Sequence, residues 1–406
     1  MGFTARHNIA LNWVKSCWKS GAKVDQPIKV LHIMNSCVDG SISRIVERII
    51  RFSTPGKYQW FVAPVNDMGA FAPVFETLGA QVIDFSPHQG HTFSTREKIS
   101  RFVSGENIDI VHTHTPRTIW ETWKALRSVR HKGKRPYHLA TKHLITHPHD
   151  RKWGLAYTLF DRLTFYMPDH LVTVSKTMAK EVLSQPGIFA NRVTAIPNGI
   201  PVDHFYQPQF REGFRQQSGL TPEMVVIGYT GRIAKVKRLD ILIEAFAEAN
   251  KKYPNTRLLL AGEGSLRSEL EAQVRRLGIE NEVRWLGFTS NIPSFLAGLD
   301  IYMQTSVNEG LSLSILEAMA AEKSVIATRV GSADEIIQDG KTGILIMPDS
   351  VPEARQSLLY LLDNPEKRNQ LAKSAKEYVS TEYNIQYMVE GYESIYCQLM
   401  DRISDG

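Results

Sequence analysis

The chain has 406 residues, 43% of them hydrophobic and 22% charged, with a net charge of +6. That length exceeds one ordinary compact domain and suggests two, each able to bury its own core, while the composition is that of a folded, soluble protein. Membrane spans and disulfide or zinc-knuckle frameworks are excluded: no apolar run is long enough, and Cys17, Cys37 and Cys397 are too far apart, which points to the cytoplasm. The basic balance implies an anionic partner, whether a nucleotide, a nucleic acid or an acidic membrane surface.

In residues 1–27, Ile9, Trp13, Val14, Cys17 and Trp18 recur at helical spacing among Lys15 and Lys19. The pattern predicts a short amphipathic helix that either lies on an acidic bilayer or docks on its own domain. Lys15, Lys19 and Lys23 break any signal-peptide pattern, and Arg6 stands where a myristoylation site needs Ser or Thr.

From Ile28 onward seven short apolar runs alternate with helical stretches: IKVLHIM, QWFVAPV, QVIDFS, DIVHTH, YHLATKH, HLVTVS and VTAIPNG. Such alternation predicts a parallel sheet covered on both faces, whose ligands sit at the carboxyl ends of the strands. The first run leads into the loop Asn35 to Ser43, where Gly40 would let the backbone approach a phosphate. The fourth and fifth runs end in His112, His114 and His143, and His147 and His149 follow. With no HExxH pattern and no cysteine nearby, no metal site is expected there. The stretch Lys124 to Lys142 is basic through Arg127, Arg130, Lys132, Lys134 and Arg135, and the run Trp153 to Met167 is rich in aromatic residues.

Asn198-Gly199 and the polar stretch Gln207 to Thr221 interrupt the alternation and read as an interdomain linker. A second series follows: VVIGYTGR, TRLLLAGEG, VRWLGF, IYMQTS, SVIATRV and GILIM. Its first strand ends at Gly231-Arg232, with Lys237 five residues on. An arginine fork and a lysine point charge at a strand-to-helix turn suit a diphosphate, whereas the dipole of a helix start otherwise disfavours cations. The stretch Thr305 to Ala321, TSVNEGLSLSILEAMAA, sets Glu309 and Glu317 eight positions apart around a helix that should start near Ser312. Helix starts receive anions, so the two glutamates would flank a bound diphosphate, one facing a sugar and the other a ribose.

This motif resembles the E-x7-E signature of the retaining glycosyltransferases of family 4, in its EG-x6-EAMA setting. ATKH, NGIPVDHF, GRIAKVKR, LLLAGEGSL, WLGFTSN, Gly331, Glu335 and DGKTG resemble the family's other segments in order and spacing. The resemblance implies the GT-B fold, two Rossmann-like parallel-sheet domains facing across a cleft. The division would be an N-terminal extension over 1–27, an acceptor domain over 28–205, a nucleotide-sugar domain over 206–382, and a helix over 383–406 crossing back to the first domain. Arg232, Lys237 and the backbone of Gly310, Leu311, Ser312 and Leu313 would hold the diphosphate. Glu317 would hold the ribose, Glu309 the sugar hydroxyls, and Phe288 and Thr289 the base side, while His143 would flank the sugar from the other domain and Gly40 would approach the donor.

The chain departs from the pattern at Ser41, Ser43, Arg238 and Glu322. Arg238, at a frequent glycine position, reads as affecting packing more than charge, and Glu322, also in place of glycine, has no interpretation from sequence. No D-x-D triplet occurs, so positive side chains and a helix dipole replace a metal clamp, and neither metal nor cofactor is expected. The implied function is retaining transfer of a sugar from a UDP- or GDP-sugar to a glycan or lipid-linked acceptor, in cell-envelope polysaccharide or glycolipid synthesis. It would take place in the cytoplasm or on the cytoplasmic face of the membrane, with peripheral contact to acidic lipid through the basic-aromatic surface and with no nucleic-acid partner. A nucleotide-sugar epimerase and a non-catalytic nucleotide- or carbohydrate-binding protein are the alternatives. An oxidoreductase is disfavoured, because no G-x-G-x-x-G follows the first strand.

Overall fold

A computed structural model describes residues 26–87, 93–129, 135–144 and 154–404. The amphipathic segment ahead of Ile28 lies almost wholly outside the described residues, as do Arg130, Lys132, Lys134, His147, His149 and Trp153. The chain forms two compact units, one from Met1–Val174, Ala179–Ile196 and Gln386–Gly406, the other from Ser175–Met178 and Pro197–Ile385.

Each of the seven runs of the first half is a strand: β1 (Ile28–Ser36), β2 (Tyr58–Asp67), β3 (Gln81–Val82), β4 (Ile110–Thr113), β5 (Tyr137–Lys142), β6 (His170–Thr173) and β7 (Val193–Ala195). They form one parallel sheet in the order β3-β2-β1-β4-β5-β6-β7. β1 and β4 lie at its centre, buried on both faces, which is why they read as continuous apolar runs rather than alternating ones. On one face Leu31, Ile33, Phe61, Val111, Ile99 and Val103 make a continuous core.

The other face is polar inside. The register sets His32 beside His112, and His114 follows on the same side. These rings pack against one another at a tilt, with centroids 4.8 Å apart for His32 and His112 and 4.4 Å for His112 and His114. His112 gives one nitrogen to Tyr396 Oη at 2.8 Å and the other to Thr141 Oγ1 at 2.8 Å. Tyr396 and Tyr392 come from the last helix, Ile385–Ser404, whose residues from Gln386 onward belong to this unit. The same helix supplies Glu393, which accepts from the Thr54 backbone N–H at 2.7 Å and from its hydroxyl at 2.9 Å. Nearby, the ammonium of Lys142 is buried against the carboxylate of Asp161 and lies 5.2 Å from the Phe165 ring centroid. Burial holds Lys142 below its usual range, and Asp161 opposes that shift.

The second unit contains β8 (Val225–Thr230), β9 (Thr256–Ala261), β10 (Val283–Gly287), β11 (Ile301–Gln304), β12 (Ser324–Thr328) and β13 (Ile344–Ile346), parallel and in the order β10-β9-β8-β11-β12-β13. These are the six runs of the second series. Helices Leu239–Lys252 and Val351–Asp363 bury Leu242, Phe246, Leu358 and Leu361 against its strands.

Gln207 to Thr221 is not a free linker. It holds helix Phe210–Gln217, whose Arg211 and Arg215 both clasp Asp300, each at 2.6 Å, while Phe214 covers Gly298. Asp300 also accepts from the Val226 N–H at 2.8 Å, so one carboxylate ties this helix to β8. The first unit accordingly stops at Ile196 rather than at residue 205, because Pro197 onward, including helix Val202–Phe205, packs with the second unit.

The two departures from glycine share a backbone cause. Arg238 has φ 48° and Glu322 has φ 58°, both in the left-handed region where a side chain crowds the following carbonyl. Arg238 opens helix Leu239–Lys252 and pairs with Asp240 at 3.0 Å and with Asp349. Glu322 is the left-handed residue just past helix Leu313–Ala320 and pairs with Lys376.

Two stability predictions follow from these features. Left-handed strain of about 1 to 2 kcal/mol outweighs a partly exposed ion pair of about 0 to 1 kcal/mol. Glu322→Gly should therefore stabilise the second unit by about 0.5 to 1 kcal/mol in urea denaturation, whereas Glu322→Ala, which keeps the strain and loses the pair, should destabilise it. The opposite ranking would refute the strain argument.

The buried histidines make the first unit sensitive to acid. Burial lowers His32, His138 and His143 to about 3 and holds His112 and His114 well below the usual range. Once unfolded, these rings bind protons below about pH 6.5, so between that value and about 3 the unfolded chain holds more protons and stability falls as pH falls. The slope is about 1.4 kcal/mol per pH unit for each histidine. Denaturant midpoints at pH 7.5 and 5.5 should show the first unit losing several kcal/mol; an unmoved midpoint would mean the rings charge in place.

Candidate active site

In the second sheet the strand order reverses between β8 and β11, the point beyond whose carboxyl ends open parallel sheets bind their ligands. β8 runs into Arg232 and Lys237, and β11 runs into Glu309. Lys237 Nζ lies 2.5 Å from Glu309 Oε1, and Gln304 Nε2 donates to the same oxygen at 3.0 Å. Gln304, at the end of β11 and buried, accepts in turn from the hydroxyls of Ser312 and Ser314 at 3.1 and 2.9 Å. The carboxylate of Glu309 is thus fixed by one cation and one amide, and the amide is itself anchored to the start of the next helix.

That helix is Leu313–Ala320, with Ser312 at its N-cap. The Ser312 hydroxyl is turned to Gln304 and does not cap the helix, so the first N–H groups keep their capacity for an anion. Leu311 O accepts from Asn198 Nδ2 at 3.3 Å, and Gly310 O accepts from the Ser332 N–H at 3.1 Å, which holds the approach to the helix in place. Glu317 is the fifth helical residue and is 2% exposed. Burial raises the phenol of Tyr302 above its usual range, and Glu317 and Glu309 add to that shift, so Tyr302 stays a hydrogen-bond donor, here to Thr230 O at 3.2 Å.

Arg232 is exposed, as is Phe288, while Thr289 is half-buried. Their loops interlock: Gly231 N–H donates to Ala261 O at 3.0 Å, Ile233 N–H to Glu263 O at 2.8 Å, and Gly262 N–H to Gly287 O at 2.7 Å. A Cβ on Gly262 would meet Gly231 O at 1.9 Å, and one on Gly264 would meet Ile233 O at 1.9 Å, which explains the LAGEG spacing. Arg232, Lys237, Glu309, Gly310, Leu311, Ser312, Leu313 and Glu317 are therefore gathered around β8 and β11, and Phe288 and Thr289 open the loop after β10, two strands from β8. Sequence reasoning missed Gln304 as the residue that orients Glu309. A buried amide at a strand end was its only signal.

The first unit holds the other two candidates. Gly40 precedes helix Ser41–Phe52 in extended backbone that any residue adopts; a Cβ there would meet only Val38 O, at 4.0 Å. His143 follows β5, half-buried, with Nε2 3.1 Å from His114 Nδ1, and His114 Nε2 is 3.0 Å from His32 Nδ1. Among the described residues, His32, His112 and His114 form a group whose nitrogens lie within 4.8 Å of one another. Their donor set does not fit a metal: His112 spends both nitrogens on Tyr396 and Thr141, and His32 and His114 share a proton. No described helix is long and apolar enough to cross a membrane.

The family model of the group 1 glycosyl transferases matches residues 210–378, and that of glycosyltransferase family 4 matches residues 60–204. A Bacillus subtilis protein carrying the name of a glycosyltransferase, EpsD, is 28% identical over 322 residues, 78% of this chain and 83% of its own length. The alpha-D-kanosaminyltransferase of Streptomyces kanamyceticus is 31% identical over 47% of this chain, and the match spans only 49% of that enzyme. Among solved structures, Anabaena HepE in complex with UDP-glucose superposes with a TM-score of 0.79 at 23% identity, covering 93% of this chain and all of HepE. With both halves matched in order and two parallel-sheet units of this topology, the chain belongs to the group 1, family 4 glycosyltransferases of the GT-B fold.

Proposed function

We propose that this protein transfers a sugar from a UDP- or GDP-sugar to a glycan or lipid-linked acceptor with retention of configuration and without a metal ion, in cell-envelope polysaccharide or glycolipid synthesis. The observation that carries this reading is the Lys237-Glu309-Gln304 cluster at the switch point, directly ahead of a helix start whose cap is turned away. HepE was solved with UDP and with UDP-glucose, which supports a nucleotide-sugar donor. The chain also matches an Acholeplasma laidlawii enzyme named for making alpha-monoglucosyldiacylglycerol, at 28% identity over 52% of its length, which supports a lipid acceptor.

In this mechanism the ammonium of Lys237, the guanidinium of Arg232 and the N–H groups from Leu311 to Leu313 stabilise the departing diphosphate. Their contribution grows as the glycosidic bond breaks and negative charge accumulates there. Glu309 orients the sugar hydroxyls, Glu317 accepts from the ribose, and Phe288 and Thr289 border the base. Gly40 leaves the helix start after β1 open.

The acceptor side of the proposal rests on the first unit. Helix Gly154–Leu163 turns Leu155, Leu159 and Leu163 outward, 67%, 55% and 57% exposed, at the four-residue spacing of one helix face. Beside it, Trp120 packs on Phe160 with centroids 5.8 Å apart, and Lys124 and Arg127 lie 5.2 Å from the ring centroids of Trp120 and Trp123. An outward apolar stripe next to basic residues suits a peripheral face on an acidic bilayer, where a lipid-linked acceptor would be found.

Arg232→Ala/Lys237→Ala should lower turnover about a hundredfold or more with a smaller loss of donor affinity. The assay follows nucleotide release and product anomer by NMR with UDP- and GDP-sugars, a membrane extract and a chelator. An inverted anomer, interconversion of donors without acceptor, or activity abolished by the chelator and restored by magnesium would each overturn the reading. Changing Leu155, Leu159 and Leu163 together to Gln should weaken co-sedimentation with vesicles rich in anionic lipid by about tenfold or more; unchanged sedimentation would remove this face from the proposal.

A further inference from the structure

Glu309 takes both of its bonds on one oxygen. Lys237 Nζ lies 2.5 Å from Oε1 and Gln304 Nε2 lies 3.0 Å from the same atom, whereas Oε2 has no hydrogen-bond partner among the described residues. A carboxylate only accepts, so the Gln304 amide has one permitted orientation, with Nε2 toward Glu309 and Oε1 away from it. On that far side stand Ser312 Oγ at 3.1 Å and Ser314 Oγ at 2.9 Å, and the two hydroxyls lie 3.1 Å from each other. Three oxygens thus make a triangle that holds two protons.

Gln304 Oε1 brings no proton of its own, so at least one serine must donate to it. The other serine donates either to the same oxygen or to its fellow hydroxyl. Each of these arrangements keeps both protons inside the triangle. Gln304 is 2% exposed and Ser312 8%, so turning a proton outward would leave a bond unmade in the interior. The helix agrees with this count: Ser312 stands at the N-cap of Leu313–Ala320, where a serine ordinarily accepts from a backbone N–H, yet its side chain makes no such bond. We propose that Ser312 and Ser314 are positioning residues, acting through Gln304 to hold Glu309 with Oε2 left to the ligand, and that their hydroxyls are not ligands of the diphosphate. The helix start then receives the diphosphate through backbone N–H groups alone, and Gln304 keeps Glu309 in place while the remaining N–H donors of Lys237 turn to the phosphates. The part that concerns ligands rests on the functional reading above, in which Glu309 meets sugar hydroxyls.

The test is a mutant cycle read in kcat with the donor sugar and in UDP and GDP affinity by calorimetry. Ser312→Ala and Ser314→Ala each leave one donor on Gln304 Oε1 and should each lower kcat by no more than about threefold, whereas the two together should lower it about tenfold or more. Nucleotide affinity should stay unchanged in all three. Ser314→Thr, which keeps a hydroxyl, should restore kcat when it replaces Ser314→Ala in the double variant. Gln304→Leu should lower kcat about tenfold by itself, and adding both alanines to it should have no further effect. Alanine variants that bind nucleotide about tenfold more weakly, as loss of a hydrogen bond to a charged phosphate would cause, overturn the proposal. So does a loss of kcat that persists undiminished on top of Gln304→Leu. The amide orientation is read without any ligand in protein labelled with nitrogen-15 glutamine, which decides the matter even if Gln304→Leu does not fold. The Gln304 Nε2 protons should show Overhauser contacts to the side chain of Glu309; contacts to the β protons of Ser312 and Ser314 instead overturn the positioning role. The expected spectrum in a protein that turns over no donor sugar overturns the functional reading and leaves the positioning of Glu309 standing.

Discussion

The contact of loop backbone against loop backbone at the carboxyl ends of the second sheet is the constraint on which the site depends. A Cβ on Gly331 would stand 2.0 Å from Glu309 O, just as one on Gly262 would stand 1.9 Å from Gly231 O. Where loops touch through their main chains, no side-chain adjustment can absorb a displacement. The position of Glu309 is therefore set twice, by Gly331 pressing on its carbonyl and by Gln304 and Lys237 holding its carboxylate. Rigid placement of this kind is what electrostatic catalysis requires, since charges already in place need no reorganisation as the bond breaks.

The two units handle charge in opposite ways. The second leaves the Lys237-Glu309 pair at the strand ends partly solvated, with exposures of 20% and 15%. The first buries polar groups and keeps them uncharged or matched: its histidines are held neutral by desolvation, and the Lys142 ammonium is compensated by Asp161. A neutral interior beside strand ends can offer directed hydrogen bonds without the field of a full charge.

Most of the fold was legible in the sequence because parallel strands buried on both faces are unbroken apolar runs, and all of these stood out between helical stretches. The candidate residues of the second unit were legible as well, since Glu309 to Glu317 lie within one short segment and Arg232 and Lys237 within another. What escaped were relations created by register and long-range packing. His32 meets His114 across 82 residues, and Lys142 meets Asp161, in the last turn of helix Gly154–Leu163, across 19. Gln207 to Thr221 looked like a linker because helix Phe210–Gln217 is mostly polar, and its docking rests on two arginines that find Asp300 more than 80 residues away. Arg238 and Glu322 were visible as departures, but their left-handed backbone was not, because nothing in either residue type signals a positive φ.

The last helix bears on the order of events during synthesis. Tyr396 reaches His112 across 284 positions, and Glu393 reaches Thr54 across 339. While a ribosome is still making the second unit, the first has every strand of its sheet but lacks the partners of a buried histidine and of a helix end. It must wait in that unfinished state, with polar groups unmatched, until helix Ile385–Ser404 has been made. Contacts of such length close slowly, and incomplete parallel sheets invite wrong pairings in the interval. Loss of helix Ile385–Ser404 would thus strike a sheet and a helix end made well before it, 284 and 339 positions away along the sequence.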